Sequence, residues 1–319
     1  MIEIEHLSKM YKRGVIPTLD DISLTIGRGG FGLLGPNGAG KSTLMRILST
    51  LSEPSHGHVM VAGHDVRRER AAIRRLLGFL PQEFGFYPRL TAHETLDYLA
   101  LLSGLGRERH ARIAEVLETV KLTDVARKRV GTFSGGMKQR LGIAQALLNQ
   151  PAVLIVDEPT AGLDPIERVR FHTLLAELAT RTTVVLSTHI VADVASTCAD
   201  VAVLHKGHVL YHGSPVDLTA RAEGRVWMVT IDPRNLAEVE RTCTVAAATP
   251  TLSGLEVRFV GALPAGLAAT PVRPTLEDGY LATAGPAIQA TREPRDAGIP
   301  APERGRFRLR SEPERRARQ

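Results

Sequence analysis

The sequence predicts an α/β fold built on a mostly parallel sheet, and three observations carry that expectation. A glycine-rich segment, Gly35-Pro36-Asn37-Gly38-Ala39-Gly40-Lys41-Ser42-Thr43, sits between the apolar run Phe31–Leu34 and a helical face of Leu44, Ile47, Leu48 and Leu51, spaced i, i+3, i+4, i+7 as in an amphipathic helix. Further on, apolar strands and helical faces alternate: Val153–Val156, then Phe171, Leu174, Leu175 and Leu178, then Val184–Leu186, then Val201–Leu204. Such alternation describes parallel strands with helices on both faces of the sheet. Asp157, Glu158 and His189 follow those strands closely, at the carboxyl edge where open α/β sheets hold their ligands.

In chain order, Ile2 and Ile4 alternate with acids, and Ile22, Leu24 and Ile26 repeat the alternation after a loop spanning Tyr11–Gly14 and Pro17. Both segments read as strands. His58–Gly63 gives another strand and turn, Asp65–Leu77 a charged helix, and Gly78–Leu80 a short buried strand ending at Pro81-Gln82. Over about 83–148 the pattern becomes helical, with His93–Leu102 and then Ile113, Val116, Leu117 and Val120, so a helix-rich insertion is expected there. After residue 220 the register changes again. Val226–Ile231 and Leu255–Val260 read as strands of a small separate α+β module over 221–285, with Leu236–Val239 as a helix and a Pro/Gly-rich stretch over Gly261–Pro274. From 286 to 319 the chain is Arg, Pro, Glu and Ala with almost no large apolar residue, which predicts a disordered tail.

With 319 residues and 43% apolar content, the chain holds one large domain, over 1–220, and one small one. Of the net charge of +6, the segment Arg292–Gln319 supplies +4, with nine arginines against five acids. The part before it is nearly neutral, and aromatics at 4% leave few stacking platforms, so no nucleic-acid partner is expected. No stretch approaches the roughly 18 to 20 apolar residues of a membrane span, and Met1–Glu5 carries acids where a secretory signal carries bases. A cytoplasmic location is expected. Two cysteines far apart offer neither a disulfide framework nor a metal cluster. Cys198 shares a helical face with Val191, Val194 and Ala195, the setting of a buried, inert thiol.

Gly35–Thr43 matches G-x-x-x-x-G-K-[ST] at every fixed position. Gly35, Gly38 and Gly40 let backbone N–H groups and a helix N-terminus approach an anion closely. Lys41 would reach the β- and γ-phosphates of a nucleotide and the Ser42 hydroxyl would ligate Mg²⁺. A glycine-rich turn that binds nothing is the plain alternative; the register of Gly, Gly, Lys and Ser between strand and helix weighs against it. Asp157 ends an apolar strand, where it can hold Mg²⁺ through water, and Glu158 can polarise an attacking water. By itself that pair reads as a solvated loop, and only the upstream glycine loop gives it meaning. Ser134-Gly135-Gly136 precedes a helix bearing Met137, Leu141, Ala144 and Leu148, and so forms a second anion-ready helix N-terminus or a simple serine N-cap. Two phosphate cradles in one chain suggest that the second serves a nucleotide held by another copy.

Together these residues resemble the ATP-binding-cassette (ABC) nucleotide-binding proteins over Ile2–Gly213, with six motifs in the family's order. Gly35–Thr43 resembles Walker A, Gln82 after Gly78–Pro81 the Q-loop, and Phe133-Ser134-Gly135-Gly136-Met137 the signature. Val153–Glu158 resembles Walker B, Ala161-Gly162-Leu163-Asp164 the D-loop, and Ser187-Thr188-His189 the switch histidine. The resemblance implies a P-loop NTPase fold with an N-terminal antiparallel β subdomain, ATP and Mg²⁺ as cofactors, and ATP hydrolysis. It further implies a head-to-tail dimer, in which ATP on one subunit's Walker A is covered by Ser134, Gly135 and Gly136 of the other. Glu158 is then the base, His189 contacts the γ-phosphate, Ser42, Gln82 and Asp157 attend the metal, Asp164 belongs to the D-loop, and Tyr11 stacks on adenine. Phe133 and Met137 depart from the common signature LSGGQ at both ends.

A cassette of this kind implies a separate integral membrane permease, received at Phe84–Leu96, and a peripheral position on the inner face of the membrane. A single cassette followed by a small module ending in Thr275–Leu281 resembles the ABC-2-type exporters, including drug and antibiotic resistance pumps, and so implies export of a drug, antibiotic or lipid-like cargo; a module that serves only for dimerising or spacing is the alternative. The rival reading is a soluble cassette ATPase acting on ribosomes or nucleic acid. Against it stand the single cassette, the lack of a heptad run and the near-neutral folded part. A small-molecule kinase would need neither Ser134-Gly135-Gly136 nor His189.

Overall fold

The structure, a computed structural model, describes residues 1–11, 16–264 and 266–292. β1 (Ile2–Lys9) and β2 (Leu19–Ile26) pair antiparallel, with Ile2 opposite Ile26 and Ile4 opposite Leu24. β3 (Gly30–Leu34) then leaves for a second sheet and runs into α1 (Lys41–Leu48). β4 (His56–Val61) and β5 (His64–Asp65) return to complete a four-stranded sheet in the order β2-β1-β4-β5. The inward residues Ile2, Ile4, Leu24, Ile26, Val59 and Val61 share one core with Leu44, Ile47 and Leu48 of α1 and with Ile155 and Val185 of the second sheet. Thus α1 is clamped between two sheets. Burying each of those aliphatic side chains contributes roughly 1.5–3 kcal/mol.

α2 (Arg70–Leu76) leads directly into β6 (Leu77–Leu80). The charged helix expected over Asp65–Leu77 therefore starts later, because Asp65 Oδ1 accepts the backbone N–H groups of Arg67 (2.7 Å) and Arg68 (3.0 Å) and so shapes a turn first. The insertion carries α3 (Ala92–Leu102), α4 (Arg109–Thr119) and α5 (Gly135–Leu147). Thr91 and Glu94 close a reciprocal capping box at the start of α3. β7 (Val153–Asp157), α6 (Pro165–Ala179), β8 (Thr183–Thr188), α7 (Val191–Thr197), β9 (Asp200–His205) and β10 (His208–Gly213) follow.

The second sheet has six strands in the order β10-β9-β3-β8-β7-β6, parallel throughout except for the β9–β10 hairpin. Every residue of β3, β7 and β8 is buried, as strands covered on both faces must be. α7 packs so tightly on β3 that a Cβ at Gly32 would lie 2.7 Å from Val194 Cγ2. The carboxyl ends of the adjacent strands β3, β8, β7 and β6 deliver, side by side, the phosphate loop, His189, Asp157-Glu158 and Gln82.

After α8 (Pro215–Ala220) come β11 (Val226–Ile231), α9 (Leu236–Thr242), β12 (Thr244–Thr251), β13 (Gly254–Val260) and β14 (Thr270–Pro271), in a sheet of order β12-β13-β11-β14. α10 (Leu276–Arg292) closes the described chain. Helix continues past 285, where a disordered tail was expected to begin; residues 293–319 lie outside the described residues. The module's sheet has an apolar core of its own around Val229, Val257 and Phe259, and α10 joins it to the cassette: Ala284 belongs to the core that holds Leu218, Tyr211 and Val194, and Leu276 and Tyr280 pack against it. Close approach makes this possible, since a Cβ on Gly279 would stand 2.1 Å from Leu218 O.

Candidate active site

The loop after β3 turns through Gly38 (φ 79°) and Gly40 (φ 109°), left-handed backbone that side-chain-bearing residues rarely adopt. Gly40 is the N-cap of α1, so the free N–H groups of that helix open into a cleft of about 300 Å³ lined by Thr18, Asn37–Thr43, Gln82 and Glu158. Gly35 sits beneath, where a Cβ would come within 2.3 Å of Leu204 O. Lys41 is only 4% exposed. Its ammonium donates to Gly35 O (2.8 Å) and Pro36 O (3.3 Å) and lies 3.1 Å from Glu158 Oε1.

Glu158 is the hinge of the site. Its other oxygen, Oε2, stands 2.6 Å from His189 Nδ1, so one carboxylate spans the phosphate-loop lysine and the histidine that follows β8. The backbone of Glu158 has φ 48°, uncommon outside glycine and typical of places where structure over-determines a functional residue. Its N–H donates to Ser187 O at 2.8 Å, which ties the end of β7 to the end of β8.

Asp157 is 4% exposed, and its Oδ1 is buried without a hydrogen-bond partner. Burial pushes its carboxyl above the ordinary range, and the nearby Glu158 charge adds to that; the Ser187 and Ser42 hydroxyls and Lys41 pull the other way. An unpartnered buried carboxylate oxygen, with a serine hydroxyl and a glutamine at the same cleft, is an all-oxygen donor set suited to a hard divalent cation.

Ser134 caps α5, its Oγ accepting from Met137 N at 3.2 Å. Gly136 presses against α6, where a Cβ would meet Glu167 Oε2 at 2.2 Å. Asp164 caps α6 in turn, accepting from Glu167 N at 2.8 Å. None of Ser134, Gly135 and Gly136 lines the phosphate-loop cleft; Gly135 borders a different groove, of about 480 Å³, together with Phe84, Phe86 and Lys138. Gln82 lines both openings.

Tyr11 is not brought to the cleft lining. It is 46% exposed just beyond β1, with Lys9 Nζ 5.0 Å from its ring centroid. Thr18 lines the cleft instead, and nothing in its local sequence marks it. A second residue beyond the reach of sequence reasoning is Asp193, four positions after His189 and fully buried. Cys198 behaves as expected, with burial pushing its thiol up to about 12.

Residues 19–161 match the family described as ABC transporter. The chain is 39% identical over 227 residues to the linearmycin resistance ATP-binding protein LnrL of Bacillus subtilis, covering 70% of this chain and 72% of that one. It is 34% identical over 300 residues to the daunorubicin resistance ATP-binding protein DrrA3 of Streptomyces coeruleorubidus, covering 88% and 94%. Among solved structures, the post-hydrolysis dimer of the cassette MJ0796 bound to ADP and Pi superposes with TM-score 0.60 and 30% identity, over 67% of this chain and 98% of that one. The cbiO1 subunit from Clostridium perfringens gives TM-score 0.64 and 28% identity, over 69% and 90%. With the glycine loop, Gln82 and Glu158 lining one cleft and His189 in contact with Glu158, this chain belongs to the ATP-binding, ATP-hydrolysing subunits of the ABC transporter family.

Proposed function

We propose that this chain powers export of a drug, antibiotic or lipid-like cargo through a separate integral membrane permease, working as a pair of copies on the inner face of the membrane. One observation carries the export reading: the likeness to a daunorubicin resistance protein covers 88% of this chain, more than the cassette alone, and so takes in the C-terminal module. Among the described residues no helix is long and apolar enough to cross a membrane, which agrees with a partner that does.

In this reading the phosphates of ATP lie on Gly35–Thr43 and its adenine extends past the cleft lining to the exposed ring of Tyr11. Phosphate oxygens take over the Lys41 ammonium from Gly35 O and Pro36 O. Ser42, Asp157 and Gln82 would hold Mg²⁺, which would supply positive charge to offset that of the phosphates. Glu158, between Lys41 and His189, accepts a proton from the attacking water, and His189 meets the γ-phosphate. Ser134, Gly135 and Gly136 lie away from their own subunit's cleft, which supports their serving the nucleotide of a second copy; Asp164, capping α6, would sit at that junction. The dimeric form named for MJ0796 is in keeping with this.

The test is affinity purification of the tagged chain from detergent-solubilised native membranes. One integral membrane protein in stoichiometric amount, raising ATP turnover when present, is expected. Ribosomes or nucleic acid in its place would overturn transport in favour of a soluble cassette ATPase.

A further inference from the structure

Asp193 has no exposed surface and lies outside every motif named above, yet four side chains converge on it. Oδ2 accepts from Thr160 Oγ1 at 2.7 Å and from Thr188 Oγ1 at 3.1 Å. Oδ1 accepts from Arg168 Nε at 2.7 Å and also from the Arg168 Nη2 group, and His172 Nε2 lies 3.0 Å away. Arg168 and His172 belong to α6, the helix capped by Asp164.

What makes the arrangement informative is where the two threonines sit. Thr160 lies two residues after Glu158, on the segment leaving β7; Thr188 is the last residue of β8, directly before His189. A single oxygen of Asp193 therefore fixes both segments that carry the two ends of the 2.6 Å Glu158–His189 contact. Thr188 Oγ1 also accepts from Ile190 N at 3.0 Å, so it holds the backbone on either side of His189. An ionised carboxylate is an acceptor only, with about four lone-pair sites. It can serve two hydroxyls and a guanidinium at once, whereas an asparagine would turn an NH₂ group towards one of those donors.

We propose that Asp193 is a positioning residue for ATP hydrolysis, setting the register of Glu158 against His189 through Thr160 and Thr188 and coupling both to α6 through Arg168. The proposal rests on the assignment of Glu158 and His189 as the groups that act on water and γ-phosphate. Misplacement of a reacting group by about 1 Å can cost roughly 100-fold in rate, so a link of this kind is read in turnover more than in nucleotide affinity. The Lys41 ammonium bonds to Gly35 O, Pro36 O and Glu158 and to neither threonine, so ground-state binding of ATP is expected to be spared.

The experiment compares Thr160→Val and Thr188→Val, which keep shape and remove the hydroxyl, with Thr160→Ser and Thr188→Ser, which keep the hydroxyl. It uses the purified full chain, steady-state phosphate release, equilibrium binding of a fluorescent ATP analogue and thermal melting. The valine variants are expected to lose about tenfold or more in kcat, with KM and binding within about threefold of wild type, and the serine variants to recover most of the rate. Wild-type kcat in folded Thr160→Val, or losses that merely follow the folded fraction, would overturn the proposal. Glu158→Gln is run alongside: near-normal turnover there removes the base assignment itself, whereas a dead Glu158→Gln beside silent threonine variants removes only the role of Asp193.

Discussion

Asp157 at the cleft and Asp278 beneath the C-terminal module are both buried aspartates, and their surroundings are opposite. Asp278 takes a forked contact from Arg258, with Nε at 3.1 Å from Oδ1 and Nη2 at 2.6 Å from Oδ2, and Thr275 donates to it from both N (2.7 Å) and Oγ1 (2.8 Å). Burial works against its charge, but the Arg258 and Thr275 hydrogen bonds win and hold its carboxyl below the usual range. Asp157 keeps one oxygen with no partner, and burial holds its carboxyl above that range. A buried charge satisfied by the protein belongs to the architecture; one left short of partners is kept for something that arrives.

The largest effect that follows is at the cleft. Glu158→Gln should lower kcat by roughly 10²- to 10⁴-fold, the usual worth of a general base, while the melting temperature hardly moves; phosphate release and a thermal melt read the two together. Next come the two aspartates themselves. Asp278→Ala leaves the Arg258 guanidinium uncompensated and should destabilise the fold by about 3–5 kcal/mol, with turnover per folded molecule unchanged. Asp157→Asn should leave stability unchanged or raised, because the folded protein disfavours its charge, and should abolish Mg²⁺-dependent turnover. Urea melts that show equal destabilisation by the two would erase the contrast.

The smallest effect concerns acid. Burial opposes the charge of Asp193, but His172, Thr160 and Arg168 hold its carboxyl down to about 2. Its folded pKa lies below its unfolded one, so its contribution is complete above pH ~4 and is lost as pH falls through about 2. That contribution is of order 2 kcal/mol. Asp193→Asn should therefore lie below wild type by about that amount at neutral pH, and the gap in unfolding free energy should narrow as the medium is taken from pH 4 towards 2.

The phosphate loop, Asp157, Glu158 and His189 were legible because each follows an apolar run that can only be a buried strand, and strand ends in a parallel sheet share one edge. Asp193 was not, since a lone acid on a seven-residue helix resembles any solvated helix position; only the tertiary fold brings Thr160 and Arg168 to it. β12 escaped because Ala246–Ala248 and Pro250 have weak strand propensity, and pairing with β13 overrides that. The far end of α10 escaped because Gly285 and Pro286 read as helix breakers, whereas Gly285 is where α10 comes against β12, a Cβ there standing 2.9 Å from Thr244 Oγ1.

The return of α10 onto α8 has a practical corollary. Residue 220 looks like a natural place to cut, but a chain ending there would strip Ala284, Leu276 and Tyr280 from the apolar surface around Leu218 and Tyr211. Such a fragment would be sticky rather than minimal. The same packing makes α10 the strut between cassette and sheet, since one helix meets α8 on the cassette and β12 on the sheet.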